Sequence, residues 1–105
     1  MPRGAYACRI DENQNEIVKV LRKLGASVLI LSTVGKGCPD LLIGLSDHKG
    51  YKHNLLVEIK DGKKSPSQRL LTKPEQKFFD EWNGNAFIVS SVEDAIYLIE
   101  AVKLG

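Results

Sequence analysis

Pro39-Asp40 and, on the far side of a hairpin, Glu58-Ile59-Lys60 bring two carboxylates and an ammonium to one small site. Those residue types suit the cutting of a phosphodiester. Paired carboxylate oxygens can share a hard divalent cation such as Mg²⁺, which keeps several of its waters and takes few protein ligands. A lysine beside them can orient a water or offset charge on a phosphate.

The surrounding residues explain why these groups meet. Asn54 to Lys60 has strand composition, and its period of two puts Leu55, Val57 and Ile59 on one face and Leu56, Glu58 and Lys60 on the other. At a rise of ~3.3 Å per residue, Glu58 and Lys60 are neighbours about 7 Å apart. Asp40 to Leu45 also reads as a strand, and Ser46-Asp47-His48-Lys49-Gly50 is turn chemistry. With the hairpin midpoint near Lys49, Asp40 falls opposite Glu58, where cross-strand partners are about 5 Å apart.

The remaining elements frame that hairpin. Ile17, Val20, Leu21 and Leu24 repeat at helical spacing within Asp11 to Leu24, and Gly25 supplies the stop. Asp11, Glu12, Asn13 and Gln14 stand at the N-terminal end of that helix. Ala26 to Leu31 reads as an apolar strand. Thr33 to Cys38 is a loop whose Gly35 and Gly37 allow a close backbone approach, although no G-K-[ST] follows to make a phosphate-binding loop. Asp61 to Ser67 is polar and expected to be mobile. Thr72 caps a helix running to Trp82, with Pro74 in its first turn and Gly84 beyond its end. Ala86 to Val89 follows as a buried strand. Ser91 caps a last helix with Val92, Ala95, Ile96 and Ile99 along one stripe. The order α-β-β-β-α-β-α predicts an α/β fold, a mixed sheet flanked by helices.

A chain of 105 residues with no internal repeat or linker is expected to form one domain, small enough that a second copy would help stabilise it. No apolar run reaches membrane-spanning length, and the first residues lack the apolar core of a secretion signal, so a cytoplasmic location is expected. Cys8 and Cys38 form neither a disulfide framework nor a metal spacing, and are expected to be reduced. The net charge of +2 says little. Its distribution says more: between Lys60 and Lys77 the chain carries Lys60, Lys63, Lys64, Arg69, Lys73 and Lys77 against only Asp61 and Glu75, a local excess fit to hold phosphates. Lys36, in the glycine loop, joins Lys63, Lys64, Arg69 and Lys73 as a candidate DNA contact. His48 and His53 read as solvated turn residues, Glu93 and Asp94 as helix-dipole partners, and Phe78, Phe79 and Trp82 as core or dimer surface.

Gly37-Cys38-Pro39-Asp40-Leu41-Leu42-Ile43-Gly44 resembles the G-x-PDLL-x-G segment of the VRR-NUC branch of PD-(D/E)XK nucleases, and Leu56-Val57-Glu58-Ile59-Lys60 resembles its hydrophobic-V-E-x-K strand. The similarity runs from about Asp11 to Ile99. It implies a restriction-endonuclease-like sheet and a Mg²⁺- or Mn²⁺-dependent endonuclease, homodimeric and acting on branched DNA such as four-way junctions. Small stand-alone members are typically phage or prophage proteins, which places such a chain in the host cytoplasm. Asp40, Glu58 and the Ile59 carbonyl would hold the metal, and Lys60 would position the attacking water.

Two positions depart from the family pattern. Gln14 stands where a glutamate is usual on the first helix, with Glu12 and Glu16 nearby, so the third site group is one of these. A neutral amide at Gln14 would hold a water or a phosphate. The family's glutamine in L-[ST]-x-x-Q is also displaced, because Leu71-Thr72-Lys73-Pro74 leads to Glu75, with Gln76 one place later. Glu16, Glu75 and Gln76 are expected to support the metal-holding residues from behind. Two alternatives stand beside junction cleavage: a flap or nicking nuclease with broader substrate use, and a DNA-binding module that has lost its first-helix acid.

Overall fold

The computed structural model describes residues 12–105, apart from the side chains of Glu12, Gln68 and Arg69. Readings that fall on Cys8 and Asp11 lie outside it. Helix α1 (Glu12–Lys23) turns Gln14, Ile17, Val18 and Leu21 inward, while Val20 and Leu24 are half-buried. The helix ends as the sequence predicts. Gly25 adopts φ +99°, its amide donates to the Arg22 carbonyl, and the Ala26 amide reaches the Leu21 carbonyl. That pair of bonds satisfies carbonyls that the helix end leaves free.

Strands β1 (Ser27–Ile30), β2 (Leu41–Ser46), β3 (Lys52–Ile59) and β4 (Ala86–Val89) form one sheet in that order. The first three are antiparallel neighbours and β4 runs parallel to β3. Parallel neighbours need a crossover. Here it contains a 3₁₀ turn over Pro66–Arg69, within and beyond the stretch expected to be irregular, and helix α2 (Lys73–Glu81). Helix α3 (Val92–Leu104) follows β4, capped by the Ser91 hydroxyl accepting the Asp94 amide. The fold is therefore mixed α/β with a four-stranded sheet and flanking helices.

The alternation along β2 and β3 decides where the core lies. Leu41, Ile43, Leu45, Leu55, Val57 and Ile59 pack with Ile17, Leu21, Ala95 and Ile99 of α1 and α3. Helix α2 buries none of its residues. Its Phe78 and Trp82 stack on each other at 5.1 Å between ring centroids, but Trp82 remains half exposed, so these aromatics are not core. Among the described residues, no helix is long and apolar enough to cross a membrane.

Candidate active site

The β2–β3 turn sets the register on which the site depends. Asp47 Oδ1 accepts the amides of Lys49 and Tyr51, and Oδ2 lies 2.8 Å from His53 Nε2, so the turn is cross-braced from one side chain. His48 is exposed, as expected of a turn residue. From the pairing of Ser46 with Lys52 the ladder runs to Leu41 opposite Val57, which places Asp40 opposite Glu58. Because Leu41, Val57 and Ile59 point into the core, Asp40, Glu58 and Lys60 emerge on the opposite face.

The loop before Asp40 is tightly wound. Gly35, Lys36 and Gly37 all take left-handed backbone angles, with φ of +79°, +57° and +81°, and the Cys38 amide closes the turn on the Gly35 carbonyl. A left-handed conformation costs a lysine roughly 1–2 kcal/mol. At Gly37 a side chain is excluded outright, since a Cβ would fall on the Pro74 carbonyl and 2.9 Å from the Glu75 amide. The close approach expected of this loop is therefore to the N-terminus of α2. Pro39 is fully buried, and the Leu31 amide donates to the Asp40 carbonyl at 2.7 Å.

Asp40 is fixed by the Ile59 amide, which donates to its Oδ2 at 2.8 Å. In an extended strand the amide and carbonyl of one residue point to the same neighbour, so the Ile59 carbonyl faces the Asp40 side as well. Glu58 is 4% exposed, and its Oε1 has no hydrogen-bond partner among the described residues. Lys60 Nζ lies 2.7 Å from Glu75 Oε1 and 3.7 Å from Glu58 Oε2. Its main chain is also held, the amide by the Val89 carbonyl and the carbonyl by Asn13 Nδ2 of α1, each at 3.0 Å.

These placements shift the charges. Burial, then the carboxylates of Asp40 and Glu75, push the Glu58 pKa up to about 9. Burial also raises Asp40, although the Ile59 amide opposes it. Both shifts point the same way, so the pair resists carrying two negative charges at once. Burial works against the charge of Lys60, but the Glu75 hydrogen bond and the surrounding carboxylates outweigh it and leave the pKa raised. Burial likewise works against Glu75, yet the bonds from Lys60 and the Thr72 amide hold it low. Cys38 is a free thiol whose pKa rises through burial and the charges of Asp40 and Glu58.

Other predicted residues take separate places. Gln14 is buried, and its hydrogen bonds go to the Ser32 hydroxyl, at 3.0 and 3.3 Å. Glu16 is exposed in a groove with Asn13, Asp61 and Lys63. The Glu12 side chain lies outside the described residues. Gln76 is exposed and donates to Asp80 Oδ1 at 2.9 Å, so of Glu16, Glu75 and Gln76, the three expected behind the site, only Glu75 reaches it. Lys36, Lys63, Lys64 and Lys73 are exposed; Arg69 belongs to the 3₁₀ turn, and its side chain is not described. Asn13 holds the Lys60 carbonyl and Ser32 pairs with Gln14, contacts that neither residue's type nor spacing announces. A helix-start asparagine offers no signal beyond capping.

The donor set fits a small hard cation. Two carboxylates on facing chain segments, one with a buried oxygen lacking a partner among the described residues, and a main-chain carbonyl on the same side are oxygen ligands of the kind Mg²⁺ takes. Among the described residues no group of three His, Cys, Asp or Glu side chains is arranged to hold a metal.

No family model, curated protein or solved structure matches the chain. Fold and site together define a mixed α/β protein in which a buried glutamate and a half-buried aspartate face each other beside a lysine, on the side of the sheet away from α1 and α3.

Proposed function

We propose that this chain is a Mg²⁺- or Mn²⁺-dependent endodeoxyribonuclease of the VRR-NUC kind, with a restriction-endonuclease-like core, acting on branched DNA. The observation that carries the reading is Glu58 Oε1, a buried carboxyl oxygen without a partner among the described residues, on a residue directly opposite Asp40. A buried polar atom left unpaired is costly, and a cation between the two carboxylates would satisfy it. The PD-(D/E)XK resemblance of the same residues supports the assignment independently.

In this reading Asp40, Glu58 and the Ile59 carbonyl hold the cation. When bound, it supplies Lewis-acid activation of a water and charge neutralisation at the phosphate. Lys60 donates a hydrogen bond that aims the water at phosphorus, opposite the leaving 3′ oxygen. The Ile59 amide keeps Asp40 from rotating out of place. Lys36, Lys63, Lys64, Arg69 and Lys73 bind flanking phosphates without reading sequence. A two-fold dimer would present two such sites to opposite strands of a four-way junction.

A second reading, a DNA-binding module with weakened catalysis, is favoured by one observation: Gln14 is spent on Ser32 and Glu16 is exposed, so neither brings a carboxylate from α1 to the site. Single-turnover incubation with a four-way junction, a flap and a linear duplex, across Mg²⁺ and Mn²⁺ titrations, separates the two. The nuclease cuts the junction in a metal-dependent way and the duplex more slowly. A protein that binds the junction tightly and cuts nothing is the module.

A further inference from the structure

Three parts of the molecule meet at Glu75. It is the third residue of α2, where its amide donates to the Thr72 hydroxyl at 3.3 Å and its Oε1 accepts the Thr72 amide at 2.8 Å. The same Oε1 receives Lys60 Nζ at 2.7 Å, closer than Glu58 at 3.7 Å. The loop leading to Asp40 leans on this corner, because Gly37 lies against the Pro74 carbonyl and the Glu75 amide.

The arrangement matters because a lysine is hard to place. Its ammonium ends a flexible four-carbon stem carrying about 2 kcal/mol of rotamer entropy, and it makes no planar, two-point contact as an arginine would. A carboxylate that was itself mobile would not fix it. Glu75 is not mobile in that sense: its carboxylate closes a capping box and its backbone sits in the first turn of a proline-started helix. Charge helps as well. Lys60 is only 14% exposed at its side chain and Glu75 18%, so the pair is poorly screened by solvent.

We propose that Glu75 is a positioning residue for Lys60, so that the capping box of α2 sets where the ammonium stands beside Asp40 and Glu58. Oε1 already accepts two donors, which suits a holder of Lys60 better than a ligand to a cation. A glutamine at this position, as the family pattern has it, would accept the same two bonds without the charge. The kinetic consequence rests on the nuclease reading; the placement of Lys60 does not.

Glu75→Ala, Glu75→Gln and Thr72→Ala separate positioning from capping. Thr72→Ala removes the hydroxyl half of the box but leaves Glu75 on Lys60, and is expected to lower the melting temperature with a cleavage rate within about twofold of wild type. Glu75→Ala is expected to lower the single-turnover rate about 10–100-fold, the range seen when a supporting partner is removed, with half-saturation by DNA unchanged. Glu75→Gln, which keeps both hydrogen bonds, should recover part of that rate. In parallel, modification of Lys60 by an amine-reactive ester is followed by mass spectrometry without DNA. It should be slow in wild type and Thr72→Ala and faster in Glu75→Ala. A wild type that cuts no DNA would end the nuclease reading and leave the labelling to decide. Equal Lys60 labelling in wild type and Glu75→Ala, or equal cleavage rates in Glu75→Ala and Thr72→Ala, would overturn the proposal.

Discussion

The Ile59 amide donates to Asp40 Oδ2 at 2.8 Å, so the strand that carries Glu58 and Lys60 also fixes the carboxylate opposite them. One carboxylate of the pair is thereby anchored by main chain, while the other, Glu58, keeps an oxygen without a partner among the described residues. The amide opposes the rise that burial gives Asp40, whereas burial and the neighbouring carboxylates push Glu58 up to about 9.

The rise at Glu58 gives the fold a pH dependence with a definite sign. Glu58 rises from an ordinary 4.5 to about 9 in the folded chain, so folding favours its protonated form. Its contribution to stability is full below pH 4.5 and is lost as pH rises toward 9. Asp47 and Glu75 are held low, by the His53 hydrogen bond and chiefly by Lys60 respectively, so what they contribute is lost only in more acid solution. With EDTA present, the melting temperature should fall between pH 5 and pH 9. Glu58→Gln should flatten that slope and raise the melting point near pH 8 by several degrees, since 1 kcal/mol moves a domain of this size by about 4–8 °C. Mg²⁺ should raise the wild-type melting point more at pH 8 than at pH 5.5, because binding releases the proton. A profile indifferent to Glu58→Gln would contradict the assignment.

The exposed lysines after β3 should contribute through phosphates alone. Reversing Lys63, Lys64 and Arg69 to glutamate is expected to weaken binding to every DNA shape, and to reduce the slope of log affinity against log salt by about 0.9 for each phosphate that is no longer neutralised. Fluorescence anisotropy between low and moderate salt measures it. An unchanged slope would mean that this segment faces away from DNA.

Gln14 is a buried amide joined to Ser32. Gln14→Ala should cost about 1–3 kcal/mol by stranding the hydroxyl, and Ser32→Ala should not add its full cost on top, which a denaturation double-mutant cycle reads directly. Gln14→Glu restores the acid usual at this position in the resembling family. It should lower the Mn²⁺ or Mg²⁺ concentration for half-maximal cleavage; an unchanged titration would make Gln14 a structural residue only.

Gly35 and Gly37 share a left-handed φ but not their surroundings, and they can be set against each other. A Cβ at Gly35 meets nothing within 4 Å, whereas at Gly37 it meets the Pro74 carbonyl. Gly35→Ala should therefore show the conformational penalty alone, roughly 1–2 kcal/mol. Gly37→Ala should lose more than that and slow cleavage, by prising the Asp40 loop from α2. Equal melting temperatures for the two variants would show that this packing does not hold the site together.

Much of this site was legible because its geometry is local. A turn centred on Lys49 and two strands of alternating pattern fix Asp40 against Glu58 with no information from elsewhere. Caps at Thr72 and Ser91 were legible for the same reason, since each acts within one helical turn. Contacts between distant elements were not. Asn13 reaching the Lys60 carbonyl, Gln14 turning to Ser32, and Glu75 taking Lys60 depend on how helices dock against strand ends, which no periodicity encodes. Of the two places open to Phe78 and Trp82, core or dimer surface, the fold removes the first, because helical spacing of aromatics does not say whether the sheet lies beneath them.

Single-turnover cleavage of a four-way junction in Mg²⁺ by wild type and Asp40→Asn puts the carboxylate pair to the sharpest test. Asparagine keeps an oxygen for the Ile59 amide, so the fold and DNA affinity should survive while the charge that helps hold the cation is gone. Metal-dependent cutting by wild type and a drop of at least about 100-fold in Asp40→Asn are expected, with Glu58→Gln and Lys60→Ala similarly impaired. Full Mg²⁺-dependent activity in Asp40→Asn would contradict a nuclease centre at these residues.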